Sequence, residues 1–351
     1  MHLKTYAMLN PIIETSKISE LKKYLSGAEK IVITTHTAPD GDALGSSLAM
    51  SQLLSHFGKR VHVVTPDVPP ETLSFIPSVK EVVPYTKYTD FATKLFAEAE
   101  LILCLDFNSA HRVDRMENLL LETKAPKILI DHHTNPDDFP VLAISHPEIS
   151  STCMLLFRVI CQCGWLNHIK KTIATCIYTG MMTDTGNFSY NSQDPNLYIV
   201  IAELLHRGID KDELYRKAFN VKKESQLRLN GYAIDQKMKI YPEHAAALIS
   251  LTLEELDKYN YDKGDTEGLV NMPLAIPGVK YVAFIREGKE YTKISMRSVG
   301  NVPVNEFCSK HFGGGGHINA AGGEYSGSID DAIKIYEAAM PDFDKYIKNK
   351  N

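Results

Sequence analysis

The groups in this chain best able to do chemistry sit in four short segments: His36-Thr-Ala-Pro-Asp40-Gly-Asp42, Asp106, Asp131-His132-His133, and Asp184 in the run 181–188. Carboxylates gathered this densely repel one another, raise each other's pKa and take up protons unless cations sit between them. Divalent ions remove that conflict. Oxygen and imidazole ligands without thiolate suit Mn, Mg, Fe or Zn, and several carboxylates with two imidazoles lean towards Mn. The spacing His-x3-Asp-x-Asp is expected to form an extended turn from which Asp40 and Asp42 reach neighbouring ions. Gly41 would permit the sharp path and Pro39 would stiffen its entry. Taken singly, Asp42 or Asp184 reads as a helix N-cap or turn residue, and His36 as a satisfied polar group at a strand end. The joint pattern favours metal, most of all because three consecutive polar groups after a buried strand have no core role.

A second signal is Gly313-Gly314-Gly315-Gly316-His317, followed by Ala320-Ala321-Gly322-Gly323. Glycines without Cβ atoms let backbone N–H groups approach an anion and adopt positive φ. His317 can add a hydrogen bond or a charge, and Ala320 and Ala321 keep the following segment slim. No Gly-Lys-Ser/Thr follows, so this is not a nucleoside-triphosphatase loop. A flexible linker would account for the glycines but not for the His and the small residues behind them.

Elements that could position these groups are legible upstream. Ile31–Thr35, Arg60–Thr65, Leu101–Leu105 and Lys127–Ile130 read as buried strands. Helices are expected at Leu44–Phe57, Phe91–Ala99, Arg112–Leu121, Ser151–Cys163, Ile169–Met182 and Asn196–His206. The alternation predicts an α/β fold, a parallel sheet with helices on both faces. His36, Asp106 and Asp131 then fall at carboxyl ends of strands, where open parallel sheets place their ligand crevice. Asp184 follows a helix instead. Residues 211–240 read as a helical connector without a sheet pattern, between a catalytic domain over 1–210 and a smaller mixed α/β domain over 241–351. In the latter, Ala245–Leu251, Val279–Arg286 and Glu290–Met296 are strand candidates. Helices are expected at Leu253–Tyr259, Val304–His311 and Asp330–Ala339.

Composition bounds the partners. A length of 351 residues favours two domains. The net charge of −5 offers no basic field for long duplex nucleic acid, so any nucleic-acid substrate is short. Cys104, Cys153, Cys161, Cys163, Cys176 and Cys308 form no CxxC pair and read as buried small hydrophobes in a reducing compartment. Residues 1–17 lack a leader pattern and no run is long enough for a membrane span, so a cytoplasmic setting is expected.

These motifs resemble the DHH phosphoesterase family. Asp131-His132-His133 is its namesake triplet, and His36…Asp40-Gly-Asp42-Ala-Leu-Gly45-Ser46 matches its first motif. The glycine run matches the GGGHxxAAG signature of the DHH-associated C-terminal domain. Within the family the chain is most similar to the NrnA-like branch, bacterial oligoribonucleases (nanoRNases) and pAp phosphatases. The resemblance implies two divalent ions, Mn2+ foremost, with Mg2+ or others as options. His36, Asp40 and Asp106 would hold one ion. Asp42, Asp106, His132 and Asp184 would hold the other, with Asp106 as the bridge. His133 would face the phosphate, and Asp131 would orient the histidines. In the second domain Arg297 and Ser298, with Gly314, Gly315, Gly316 and His317, would take a further substrate phosphate. Without the family, Arg297 reads as a surface strand arginine. Implied substrates are short single-stranded RNA, dinucleotides such as pApA, and 3′-phosphoadenosine 5′-phosphate (pAp), gripped in a cleft between the domains. The family often pairs into dimers, which makes a homodimer an option. Rival readings are a pyrophosphatase or exopolyphosphatase on the same metal core, and a non-catalytic nucleotide-binding module.

Overall fold

The computed structural model describes residues 9–348; the leader reading of residues 1–17 lies partly outside them. The chain divides into two compact units, 1–221 and 222–351.

In the first unit, α1 (Thr15–Gly27) leads into β1 (Lys30–Thr34), α2 (Gly41–His56) and β2 (Arg60–Thr65). Next come β3 (Val83–Pro84), α3 (Thr89–Glu98), β4 (Leu101–Leu105), a 3-10 turn (Ala110–Met116), α4 (Glu117–Glu122) and β5 (Lys127–Asp131). The unit closes with β6 (Leu142–Ser145), α5 (Thr152–Gln162), α6 (Lys171–Asp184), α7 (Pro195–His206) and α8 (Lys211–Phe219). The expected strands are all present. The two-residue β3 and four-residue β6 were not anticipated, being too short to show a period. The helix expected over Arg112–Leu121 is broken, because Asp114 has non-helical φ and ψ.

The six strands run parallel in the order β3-β2-β1-β4-β5-β6. Strand order reverses between β1 and β4, and at such a switch point the loops at the carboxyl ends splay apart and leave a crevice. The sheet is buried on both faces: Ile31 and Ile33 join one apolar cluster while Val32 joins another. That is the reason its strands are continuous Val, Ile and Leu runs.

The second unit holds α9 (Glu224–Gln236), β7 (Met238–Tyr241), β8 (Ala246–Leu251), α10 (Leu253–Lys258), β9 (Tyr281–Arg286) and β10 (Thr292–Ser298). These are followed by α11 (Val304–Phe312), β11 (Gly315–His317), β12 (Ala320–Tyr325) and α12 (Ile329–Lys348). The segment expected as a purely helical connector therefore contains β7, an edge strand antiparallel to β8. Its polar Lys239 and half-exposed ends hid the period. The mixed sheet runs β11-β12-β10-β9-β8-β7. Along β8, Ala246 and Leu248 face one core and Ala247 and Ile249 the other, so this sheet too is covered on both sides. No helix among the described residues is long and apolar enough to cross a membrane.

Candidate active site

His36 lies just past β1, Asp106 just past β4, and Asp131 ends β5, so three adjacent parallel strands deliver them to one edge. Asp40 and Asp42 arrive differently from expectation. The segment is not an extended turn: Asp40 is the N-cap of α2, its carboxylate accepting from the backbone N–H of Asp42 and Ala43 at 2.9 and 3.0 Å. Asp42 sits in the first helical turn. Gly41 serves close packing, since a Cβ there would lie 2.3 Å from Thr183 Oγ1 on α6. The same helix contact carries Asp184, the last residue of α6, into the site.

Three groups of ligand-capable atoms gather there: His36, Asp40 and Asp106; Asp42, His132 and Asp184; and Asp106, His132 and His133. Asp106 links them. Its Oδ2 lies 3.5 Å from His36 Nε2 and its Oδ1 lies 3.7 Å from His132 Nε2. His132 Nε2 is also 3.6 Å from Asp184 and 4.0 Å from Asp42, while His36 Nε2 is 3.9 Å from Asp40. Apart from the long His36–Asp106 hydrogen bond, these separations exceed ordinary hydrogen bonds. They suit pairs of donors sharing one small cation, whose bonds run roughly 2.0–2.2 Å.

The imidazoles are oriented for that task. His36 Nδ1 meets the Thr37 carbonyl at 2.7 Å and His132 Nδ1 meets the Ile149 carbonyl at 3.1 Å. A carbonyl can only accept, so each Nδ1 carries a proton and each Nε2 is turned towards the carboxylates. Asp131 orients one histidine, not both. Its buried carboxylate lies 2.7 Å from His133 Nδ1 and accepts the His133 backbone N–H at 3.0 Å. His133 thus presents Nε2 away from Asp131.

Burial pushes the Asp42 carboxyl well above its ordinary range, and the charges of Asp106, Asp184 and Asp40 add to the push. Asp40 is raised by burial and by Asp106. Asp184 is pushed up to about 6 by burial, against the pull of His132. Asp106 goes the other way: burial would raise it, but hydrogen bonding and charge from His36, with His132 and His133, hold it low. Burial opposes charge on His36, yet Asp106 and Asp40 raise it to about 8. The His133 pKa is raised mainly by its bond to Asp131, against burial. A cluster that must load itself with protons in this way is one in which cations can take their place.

Sequence reasoning missed the groups behind the ligands. Thr152 Oγ1 donates to Asp106 Oδ1 at 2.8 Å, and the first N–H groups of α5 point at Asp42, Thr152 at 2.6 Å and Cys153 at 2.9 Å. A helix N-terminus favours negative charge, so α5 helps keep Asp42 available as an anion. Gly180 is also needed, because a Cβ there would lie 2.2 Å from Cys153 Sγ and 2.7 Å from Asp42 Oδ1. The only sequence signal was the Ser151-Thr152 helix start, an N-cap pattern shared with many helices.

In the second unit the glycine run is a β-hairpin edge and not an open loop. A Cβ on Gly314 would lie 1.9 Å from the Gly322 carbonyl oxygen, and one on Gly316 would lie 2.5 Å from that of Ala320. Strand packing thus explains those two glycines; Gly315 has open space beside it. Register places Arg297 opposite Ala320, and Ala320 opposite His317. Directly opposed residues share a face, with Cβ atoms about 4.5–5.5 Å apart per step. Arg297 and His317 therefore flank a floor containing Ala320, Ser295, Gly322 and Gly315. Ser298 is buried instead, donating to the Val302 carbonyl at 2.7 Å and accepting from Asn319 at 2.9 Å.

Residues 30–181 match the DHH family N-terminal domain, and residues 245–342 match the DHHA1 domain. The bifunctional oligoribonuclease and PAP phosphatase NrnA of Thermus thermophilus is 31% identical over 325 residues, 92% of this chain and 91% of that protein. The chain belongs to the DHH family of phosphoesterases. Another DHH protein, the bifunctional oligoribonuclease and PAP phosphatase NrnA of Bacillus subtilis, is 26% identical over 320 residues, 90% of this chain and 96% of that one. The crystal structure of an exopolyphosphatase-related protein from Bacteroides fragilis is 47% identical to this DHH protein. It covers 97% of this chain and 100% of its own, with a TM-score of 0.94.

Proposed function

We propose that this DHH protein hydrolyses short oligoribonucleotides, dinucleotides such as pApA among them, to mononucleotides, and pAp to AMP. It does so in the cytoplasm with two divalent ions, manganese first among them. The observation that carries the reading is Asp106, a buried carboxylate whose two oxygens face two different histidine groups. Likeness to two NrnA proteins along about nine-tenths of the chain supports the substrate class. The net charge of −5 weighs against long duplexes. Free cysteines, all buried, suit a reducing compartment.

His36, Asp40 and Asp106 would hold one ion, and Asp42, Asp106, His132 and Asp184 the other. When bound, such a pair supplies an acidified water and Lewis acidity at the phosphoryl group. His133, in its charged form with the Nδ1–H fixed by Asp131, offers its Nε2–H as a hydrogen-bond donor to a phosphoryl oxygen gaining charge. Thr152 and the start of α5 hold Asp106 and Asp42 still. Arg297, with its planar two-pronged donor set, and His317 take a non-reacting phosphate above Gly315 and Ala320. Gly314, Gly316 and Ser298 shape the backbone between them.

Product analysis tests the proposal directly. The protein is incubated with pApA, pAp, a cyclic dinucleotide, pyrophosphate and tripolyphosphate, each with Mn2+, Mg2+ or chelator. Mononucleotides from pApA and AMP from pAp, lost on chelation, are expected. Phosphate release from inorganic chains alone would instead establish the polyphosphatase reading, which the 47% likeness to an exopolyphosphatase-related protein favours. Retained nucleotide without product would leave only a binding module.

A further inference from the structure

We propose that Tyr190 is the platform on which a substrate nucleobase stacks beside the metal-ligand cluster, an inference that rests on the nucleotide reading above. The chain leaves Asp184 through a tight strap. Gly186, Asn187 and Phe188 take successive left-handed conformations, φ 53°, 56° and 62°, and bend the backbone back on itself. The Thr185 hydroxyl donates to the Met181 carbonyl at 2.6 Å and accepts the Phe188 N–H at 3.0 Å. The Thr185 carbonyl accepts N–H bonds from Ser189 at 2.9 Å and Tyr190 at 3.2 Å. Phe188 anchors the strap inward, its ring 5.7 Å from that of buried Tyr178.

The outcome of this path is the placement of one ring. The Tyr190 ring packs against Gly186, where an added Cβ would sit 2.3 Å from its Cε1 and 2.9 Å from its Cζ. Gly186 is two residues beyond Asp184, which is at most about 7 Å of chain. The ring is therefore held within a nucleoside's reach of the cluster, yet it remains 56% exposed. Stacking on such a ring is tolerant of base identity, and because the strap is already bent and bonded, little ordering remains for the ligand to impose. Inorganic phosphate chains have no base and gain nothing from it.

The test compares pAp with its abasic analogue, deoxyribose 3′,5′-bisphosphate, in the full-length protein with Mn2+. Stacking of the usual strength predicts that Tyr190→Ala raises the KM for pAp roughly 5- to 150-fold. The kcat should hold, and the abasic KM should stay at the wild-type value. Tyr190→Phe, which keeps the ring, should behave as wild type, and equal melting temperatures establish that both variants fold. A Tyr190→Ala protein whose KM moves equally for both substrates, or for neither, overturns the platform while leaving the nucleotide reading intact. A wild-type protein that cleaves neither substrate but does cleave tripolyphosphate overturns both.

Discussion

Thr152 and Asp106 are both fully buried or nearly so, and the hydroxyl of one donates to Oδ1 of the other at 2.8 Å. The bond ties the first turn of α5 to the loop after β4, and it does so at the one carboxylate shared by two ligand groups. Asp106 itself stands at φ 66°, a left-handed conformation unusual for a residue with a side chain. The fold bends the backbone at this point to turn both carboxylate oxygens inward.

Removing the hydroxyl should be felt at the metals. Thr152→Val keeps the shape but leaves Asp106 without a donor; changes behind metal ligands weaken metal binding or turnover roughly 10- to 100-fold. Thr152→Ser, which keeps the hydroxyl, should stay close to wild type. Asp106→Ala should lose turnover altogether. Steady-state kinetics over a Mn2+ titration reads all three, and near-normal activity in the Asp106 variant would refute its linking role.

Gly180 is the second prediction. In Gly180→Ala the new methyl collides with Cys153 Sγ and Asp42 Oδ1, and such overpacking destabilises by about 1–3 kcal/mol. Mn2+ affinity should fall with it, because Asp42 is displaced. Gly231→Ala, in the middle of α9 with nothing within 4 Å of the added Cβ, should instead stabilise by roughly 0.4–1 kcal/mol. Denaturant midpoints of the two variants moving in the same direction would contradict this account of helix packing.

Metal binding should depend on pH with a definite sign. His36 is raised to about 8, so at pH 7 its ring is mostly protonated in the metal-free protein. A cation needs the neutral Nε2, so binding at pH 7 must release protons and affinity must climb as pH rises towards 8. Asp184, raised to about 6, is already ionised at pH 7 and adds a second rise only below that value. Calorimetric Mn2+ titrations in buffers of different ionisation enthalpy count the protons. Finding none released at pH 7 would contradict a charged His36 that gives up its proton to the ion.

Arg297 stands on β10 across Ala320 from His317. If it grips a phosphate that does not react, Arg297→Ala should raise KM for nucleotide substrates with little change in kcat. Lysine should restore part of the loss, having charge without the bidentate fork. A collapsed kcat at unchanged KM would place the arginine at the reacting group instead.

The sequence alone determined the four longest strands of the first sheet, the cluster of carboxylates and imidazoles and the family, because buried parallel strands are apolar runs and strand-end carboxylates and imidazoles stand out against them. Residue type and local spacing suffice for that. It misjudged what local pattern cannot carry. The Asp40–Asp42 segment became a helix start, and the glycine run became a hairpin whose Gly314 and Gly316 are dictated by the neighbouring strand. Met238–Tyr241 became an edge strand whose partner, β8, lies beyond a turn. Only the tertiary structure decided that Thr152 and Gly180 belong beside the ligand cluster and that Tyr190 packs on Gly186. Each acts through a neighbour in space, on Asp106, on Cys153 and Asp42, and on Gly186. Such contacts are set by how helices pack and chains turn, and a hydroxyl, a hydrogen or a ring on its own spells none of them.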